Sequence, residues 1–266
     1  MSESNNSTAN SETVKSTKKN PLDFKYEILP EDATNFDLSF KLIVIGDCGV
    51  GKSCLTNNAV KNTFEEAYNA TVGFEFITFN IKLEDKVIKL QIWDTCGQEL
   101  YRSLVTNFYR NSSLAIMVYA INSKESFEDI EMWLRELRTH SNPDAKVFLI
   151  GNKIDLEKER QVTKEQGEKF CKDSKLNLFL ESSAKTGVNA QEIFIQAAKI
   201  LYADYLSYQK KIENAGEPQE MNQLEKEQNQ KINKKKLEKK KEKTRRMLLE
   251  KKILIMKVKN SKIYII

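Results

Sequence analysis

One short stretch constrains this chain more than any other. Lys41-Leu-Ile-Val-Ile-Gly46 is a continuous apolar run, and Gly46-Asp-Cys-Gly-Val-Gly51-Lys52-Ser53 completes it with the spacing G-x-x-x-x-G-K-S. An unbroken apolar run bounded by glycine predicts a strand buried on both faces, which places the loop at the strand's carboxyl end. Such a loop, opening into a helix, turns backbone N–H groups inward, and the helix N-terminus adds partial positive charge, so together they enclose phosphate oxygens. The expected phosphate cradle is therefore Asp47, Cys48, Gly49, Val50, Gly51, Lys52, Ser53 and Cys54. Lys52 supplies a point charge to the terminal phosphates, and the Ser53 hydroxyl is placed to ligate Mg²⁺.

The rest of the central segment fits a sheet that could carry this loop. Phe74 to Leu83 and Val87 to Trp93 read as an antiparallel pair joined by a tight turn at Glu84-Asp85. Strands are expected at Leu114–Tyr119, Val147–Gly151 and Leu176–Leu180, and helices near 52–62, 125–140, 164–174 and 190–207. In the last, Ile193, Phe194, Ala197, Ile200, Leu201, Ala203 and Leu206 repeat at the helical period. Alternation of this kind predicts an α/β fold of the P-loop NTPase type: a six-stranded, mostly parallel sheet with one antiparallel edge strand and helices on both faces.

Composition sets the flanks apart. Residues 1–20 hold twelve Ser, Thr or Asn residues and almost nothing apolar, and Pro21 to Leu38 shows no period. Residues 1–38 are therefore expected to be a disordered extension, with 21–38 a linker, since burial there cannot offset ordering entropy. The domain is placed at 39–208 and a charged tail, disordered or partly helical, at 209–266. The net charge of +5 divides unevenly: 25 Lys+Arg against 30 Asp+Glu up to Tyr208, then 18 against 8. A mildly acidic body argues against nucleic acid as a partner. One histidine, His140, excludes a His-ligated metal cluster and makes Ser–His catalysis a poor fit. Four cysteines without a CxxC pair point to a reducing, cytoplasmic setting. The chain lacks a secretory h-region and any apolar run of the roughly 18 residues that a membrane span needs.

Two further clusters carry chemistry. Asn152-Lys153-Ile154-Asp155 follows the strand at 147–151, and its amide and carboxylate suit one edge of a purine. A carboxylate accepts from both N1–H and the 2-amino group of guanine, a pair that adenine does not offer. Asp94-Thr-Cys-Gly97-Gln98 ends another strand. Asp94 there can hold Mg²⁺ through water, Gly97 lets a backbone N–H approach the γ-phosphate, and Gln98 has the length to orient an attacking water.

With these motifs in order, the chain resembles a small GTPase of the Ras superfamily, and within it a Rab, over about residues 39–205. The likeness also rests on Glu181-Ser-Ser-Ala-Lys185, Val72-Gly-Phe-Glu-Phe76, Lys89-Leu-Gln-Ile-Trp93, Tyr101-Arg-Ser-Leu104 and Phe108-Tyr-Arg110. The resemblance implies that Thr71 ligates Mg²⁺ beside Ser53 and Asp94, and closes over the γ-phosphate. It puts Phe64 beside the guanine, Tyr68 over the phosphates, and Ser183, Ala184 and Lys185 around the base. Gln98, Lys52 and Thr71 would carry hydrolysis, while Phe76, Trp93 and Phe108 would face effectors. Ordinary packing stays open as the alternative role for Phe64, Tyr68, Phe76 and Phe108.

The resemblance further implies a monomeric switch holding GTP or GDP with Mg²⁺, an exchange factor, a GTPase-activating protein, and a trafficking role on the cytosolic face of endomembranes. Cys48 and Cys96 depart from the family pattern beside the phosphates, so a nucleotide-holding scaffold with little hydrolysis stays open. No prenylation cysteine follows Cys171. The lysine runs of the tail, such as 234–241, are expected to give at most weak contact with an anionic membrane, at roughly 1 kcal/mol per well-placed charge; a solvated tail is the other reading.

Overall fold

The computed structural model describes residues 22–64, 74–95 and 108–214. Strand pairing starts earlier than the sequence pattern suggests. β1 (Tyr26–Leu29) runs antiparallel to β3 (Phe74–Leu83), with Tyr26 opposite Leu83 and Leu29 opposite Asn80. The chain then passes Asn80, whose side-chain amide donates to the carbonyls of Pro30 (2.8 Å) and Glu31 (2.9 Å). At Asp37 the backbone N–H donates to Val87 O and the carboxylate accepts from Val87 N, both at 2.8 Å. The expectation of a disordered extension over 1–38, with a linker from 21, is thus corrected for residues 22–38. The strand escaped notice because its residues stay mostly exposed: it gains an edge's hydrogen bonds rather than a core, and leaves no hydrophobic period to read.

β2 (Leu38–Ile45) carries the long apolar run, and α1 (Lys52–Lys61) follows its glycine loop. β3 and β4 (Lys86–Thr95) form the expected hairpin, with Phe76 opposite Trp93. After β5 (Leu114–Ala120), the single helix expected at 125–140 is two: α2 (Lys124–Glu128) and α3 (Ile130–His140). Ser123 caps α2 by accepting from Ser126 N, and Asp129 separates the two helices. β6 (Lys146–Asn152), α4 (Lys164–Asp173, opened by a Thr163–Gln166 capping box), β7 (Leu178–Glu181) and α5 (Ala190–Asn214) complete the order. The chain divides into two units at Tyr205/Leu206, and the described part of the second is the end of α5.

The α/β class holds, with one difference. The sheet has seven strands rather than six, in the order β1-β3-β4-β2-β5-β6-β7. β3 is antiparallel to both neighbours and all other pairings are parallel, so the expected antiparallel edge strand is interior, covered on its outer side by β1. Ile43, Ile45, Ala115, Met117 and Leu149 cluster with Ile130, Trp133, Leu134 and Leu137 of α3. The alternate residues Leu42, Val44, Ile116 and Phe148 are equally buried, and since strand side chains alternate faces, both faces of the sheet are covered. On the far side, the Phe194 ring of α5 lies 5.7 Å from that of Phe79. Because β2, β4, β5, β6 and β7 run parallel, the loops that leave their carboxyl ends meet at one edge.

Candidate functional site

The glycine loop owes its path to steric necessity. Gly46 turns the chain off β2 at φ 136°, and a Cβ there would collide with the Val118 carbonyl of β5. Gly51, at φ 95°, opens α1, and a Cβ on it would stand 2.5 Å from the Asn152 amide nitrogen. Both conformations strain any L side chain, so the sequence spacing and the backbone shape are one fact. Cys48 and Gly49 are exposed at the loop tip, Asp47, Ser53 and Cys54 are half-buried, and Val50 is buried. Lys52 is only 5% exposed. Its ammonium donates to the carbonyls of Gly46 (2.8 Å) and Asp47 (2.7 Å), which hold it across the loop.

Asp94 lies at the end of β4 with no exposure. Neither of its carboxylate oxygens meets a hydrogen-bond partner among the described residues. Burial pushes its pKa up to about 6, against the opposing pull of the nearby Ser53 hydroxyl and Lys52 ammonium, while Glu75 adds to the rise. An orphaned buried carboxylate beside a hydroxyl is what a hard divalent cation takes, so Ser53 and Asp94 fit Mg²⁺.

At the other end, Asn152 also has no exposure. Its amide donates to Val50 O (2.9 Å), and its oxygen accepts from Ser182 Oγ (3.2 Å) and Ala184 N (3.1 Å). This amide, expected at a purine edge, brackets the glycine loop to the loop after β7. Asp155 does stand exposed, and Ser183 Oγ donates to its Oδ1 at 2.6 Å while itself accepting from Thr186 N. Lys153 is left-handed at φ 71° and passes near Gly51; Ala184 is buried and Lys185 exposed.

Arg160 was not singled out by sequence. It joins the two base loops, donating to Glu181 (2.6 and 3.1 Å), to Glu157 (2.9, 3.0 and 2.7 Å) and to Val162 O. No local spacing could reveal it, because Arg160 and Glu181 lie 21 residues apart. Of the remaining site expectations, Phe64 stands exposed just past α1, and Tyr68, Thr71, Gly97 and Gln98, together with Cys96, lie outside the described residues. Phe76, Trp93 and Phe108 do meet: the Trp93 ring centroid is 5.3 Å from Phe76 and 5.2 Å from Phe108. Phe74, absent from the expected set, touches Trp93 and Phe108 at 5.3 and 4.6 Å.

A glycine loop that opens a helix, a buried carboxylate without a partner and an exposed carboxylate bonded by a serine all lie at the carboxyl ends of parallel strands. The sequence model of the Ras family matches residues 41–203. The chain belongs to the Ras family of small GTPases, switches that bind GTP and GDP, commonly with Mg²⁺.

Proposed function

We propose that the chain is a Rab-type switch that hydrolyses GTP slowly and regulates membrane trafficking through effectors, with exchange and hydrolysis accelerated by partner proteins. The observation that supports the Rab reading is the aromatic cluster that Phe76 and Trp93 of the β3–β4 hairpin form with Phe108, which precedes β5. Phe76 is 48% exposed, more than a ring serving only as packing would be.

In this reading the Lys52 ammonium and the loop N–H groups stabilise charge on the phosphates as water attacks in line. Asp155, steadied by Ser183, accepts from the guanine N–H edge. Ser53, Asp94 and Thr71 would hold Mg²⁺, which when bound supplies charge neutralisation at the β- and γ-phosphates. Gln98 orients the water. The chain works as a monomer in the cytoplasm and on the cytosolic face of endomembranes, where the basic tail of residues 209–266 adds weak anionic-surface contact. Among the described residues, no helix is long and apolar enough to cross a membrane.

The test is single-turnover hydrolysis with purified chain. GTP, but not ATP, should release phosphate slowly with Mg²⁺, and Gln98→Leu should slow release at least about tenfold while GTP still binds. Equal rates in parent and variant would remove Gln98 from the mechanism.

A further inference from the structure

The glycine loop is braced from a direction no motif announces. Trp133, on the first turn of α3, is 2% exposed, packed in the core cluster with Ile43, Ile45 and Met117. Its indole N–H nevertheless leaves that core to donate to Asp47 Oδ1 at 2.8 Å, across 86 residues. Asp47 is the loop residue whose carbonyl accepts from Lys52 at 2.7 Å. Half-buried as it is, its carboxylate also meets the Asp129 side chain by hydrogen bond and charge, and feels the charge of Lys52.

That nearness poses a problem for the site. A carboxylate free to rotate beside a buried ammonium would pair with it, drawing Lys52 from the phosphates and putting negative charge where a polyanion must sit. We infer that Trp133 is a positioning residue for nucleotide binding: its indole N–H pins the Asp47 carboxylate away from Lys52 and so keeps that ammonium available to phosphate. The inference rests on the phosphate-binding role proposed for Lys52. It explains why an acidic side chain is tolerated in a loop built for anions. With Trp133, the loop is held on three sides: Gly46 against Val118, Val50 by Asn152, and Asp47 by α3.

The test is release of fluorescent GDP from full-length chain into excess unlabelled GDP. Trp133→Phe keeps the ring and removes only the N–H, and should speed release about tenfold, the scale of a lost hydrogen bond to a charged group. Asp47→Asn removes the competing charge. Added to Trp133→Phe, it should bring release to within about twofold of Asp47→Asn alone, since a neutral amide no longer competes for Lys52. A core defect caused by Trp133→Phe would not be relieved by changing Asp47, so failure of this rescue overturns the positioning role, as does unchanged release in Trp133→Phe. A parent chain that takes up no GDP at all would overturn the phosphate-binding reading beneath it, a result distinguishable from both.

Discussion

The two ends of the nucleotide site are built on opposite principles. At the end proposed for phosphate, the geometry lies in the backbone: the eight residues 46–53, three glycines at positive φ and one lysine whose own loop carbonyls hold it. At the base end no consecutive stretch suffices. Asn152 must reach Val50, Ser182 and Ala184, Asp155 must meet Ser183, and Arg160 must find Glu181. Phosphate is alike in every nucleotide, so a rigid local nest serves; a base is told apart by side-chain hydrogen bonds, which only distant segments can bring to the same edge.

The largest effect should come from breaking the base end. Asp155→Asn replaces an acceptor-only group by an amide, and titration calorimetry should show guanine preference over adenine falling about a thousandfold. Phosphate binding through the loop should survive in that variant. At the other end, Gly46→Ala places a methyl against the Val118 backbone, which cannot move aside. Urea unfolding should record a loss of about 4 kcal/mol, among the larger single-site costs.

Asp94 sharpens the contrast, because at the phosphate end even the charge is conditional. Its folded pKa of about 6 stands above the ordinary 3.8, so the metal-free folded chain holds this proton more tightly than the unfolded chain. The resulting stability is fully present below about pH 4 and is lost as pH rises through about 6, a contribution of roughly 3 kcal/mol. Asp94→Asn should remove that slope when metal-free stability is measured at pH 4.5 and pH 7. An identical slope in the variant would show that the carboxyl is not the group responsible. The smallest effect belongs to Ser183→Ala, which leaves Asp155 in place but unsteadied. Guanine nucleotide affinity should drop about tenfold, with affinity for inorganic phosphate unchanged.

The same contrast separates what was legible from what was not. The glycine loop, the β3–β4 hairpin and the parallel strands announce themselves because their signals are local: spacing, a tight turn, an apolar run. The strand Tyr26–Leu29 stayed hidden because edge pairing demands hydrogen bonds and not hydrophobic residues. The break between α2 and α3 escaped because Asp129 reads as an ordinary helix residue in sequence, and only the structure shows it ending one helix and opening the next. Trp133 is core by its burial, and that its one polar atom also grips Asp47 depends on how α3 lies beside β2.

By itself, then, the sequence determined the class of the molecule and the shape of its glycine loop, because backbone shape follows directly from glycine position and strand–helix order. Tertiary structure alone decided which groups hold that loop still, which polar atoms remain for a ligand, and where the sheet ends. Those depend on hydrogen bonds between residues tens of positions apart, whose partners no spacing within one segment can specify.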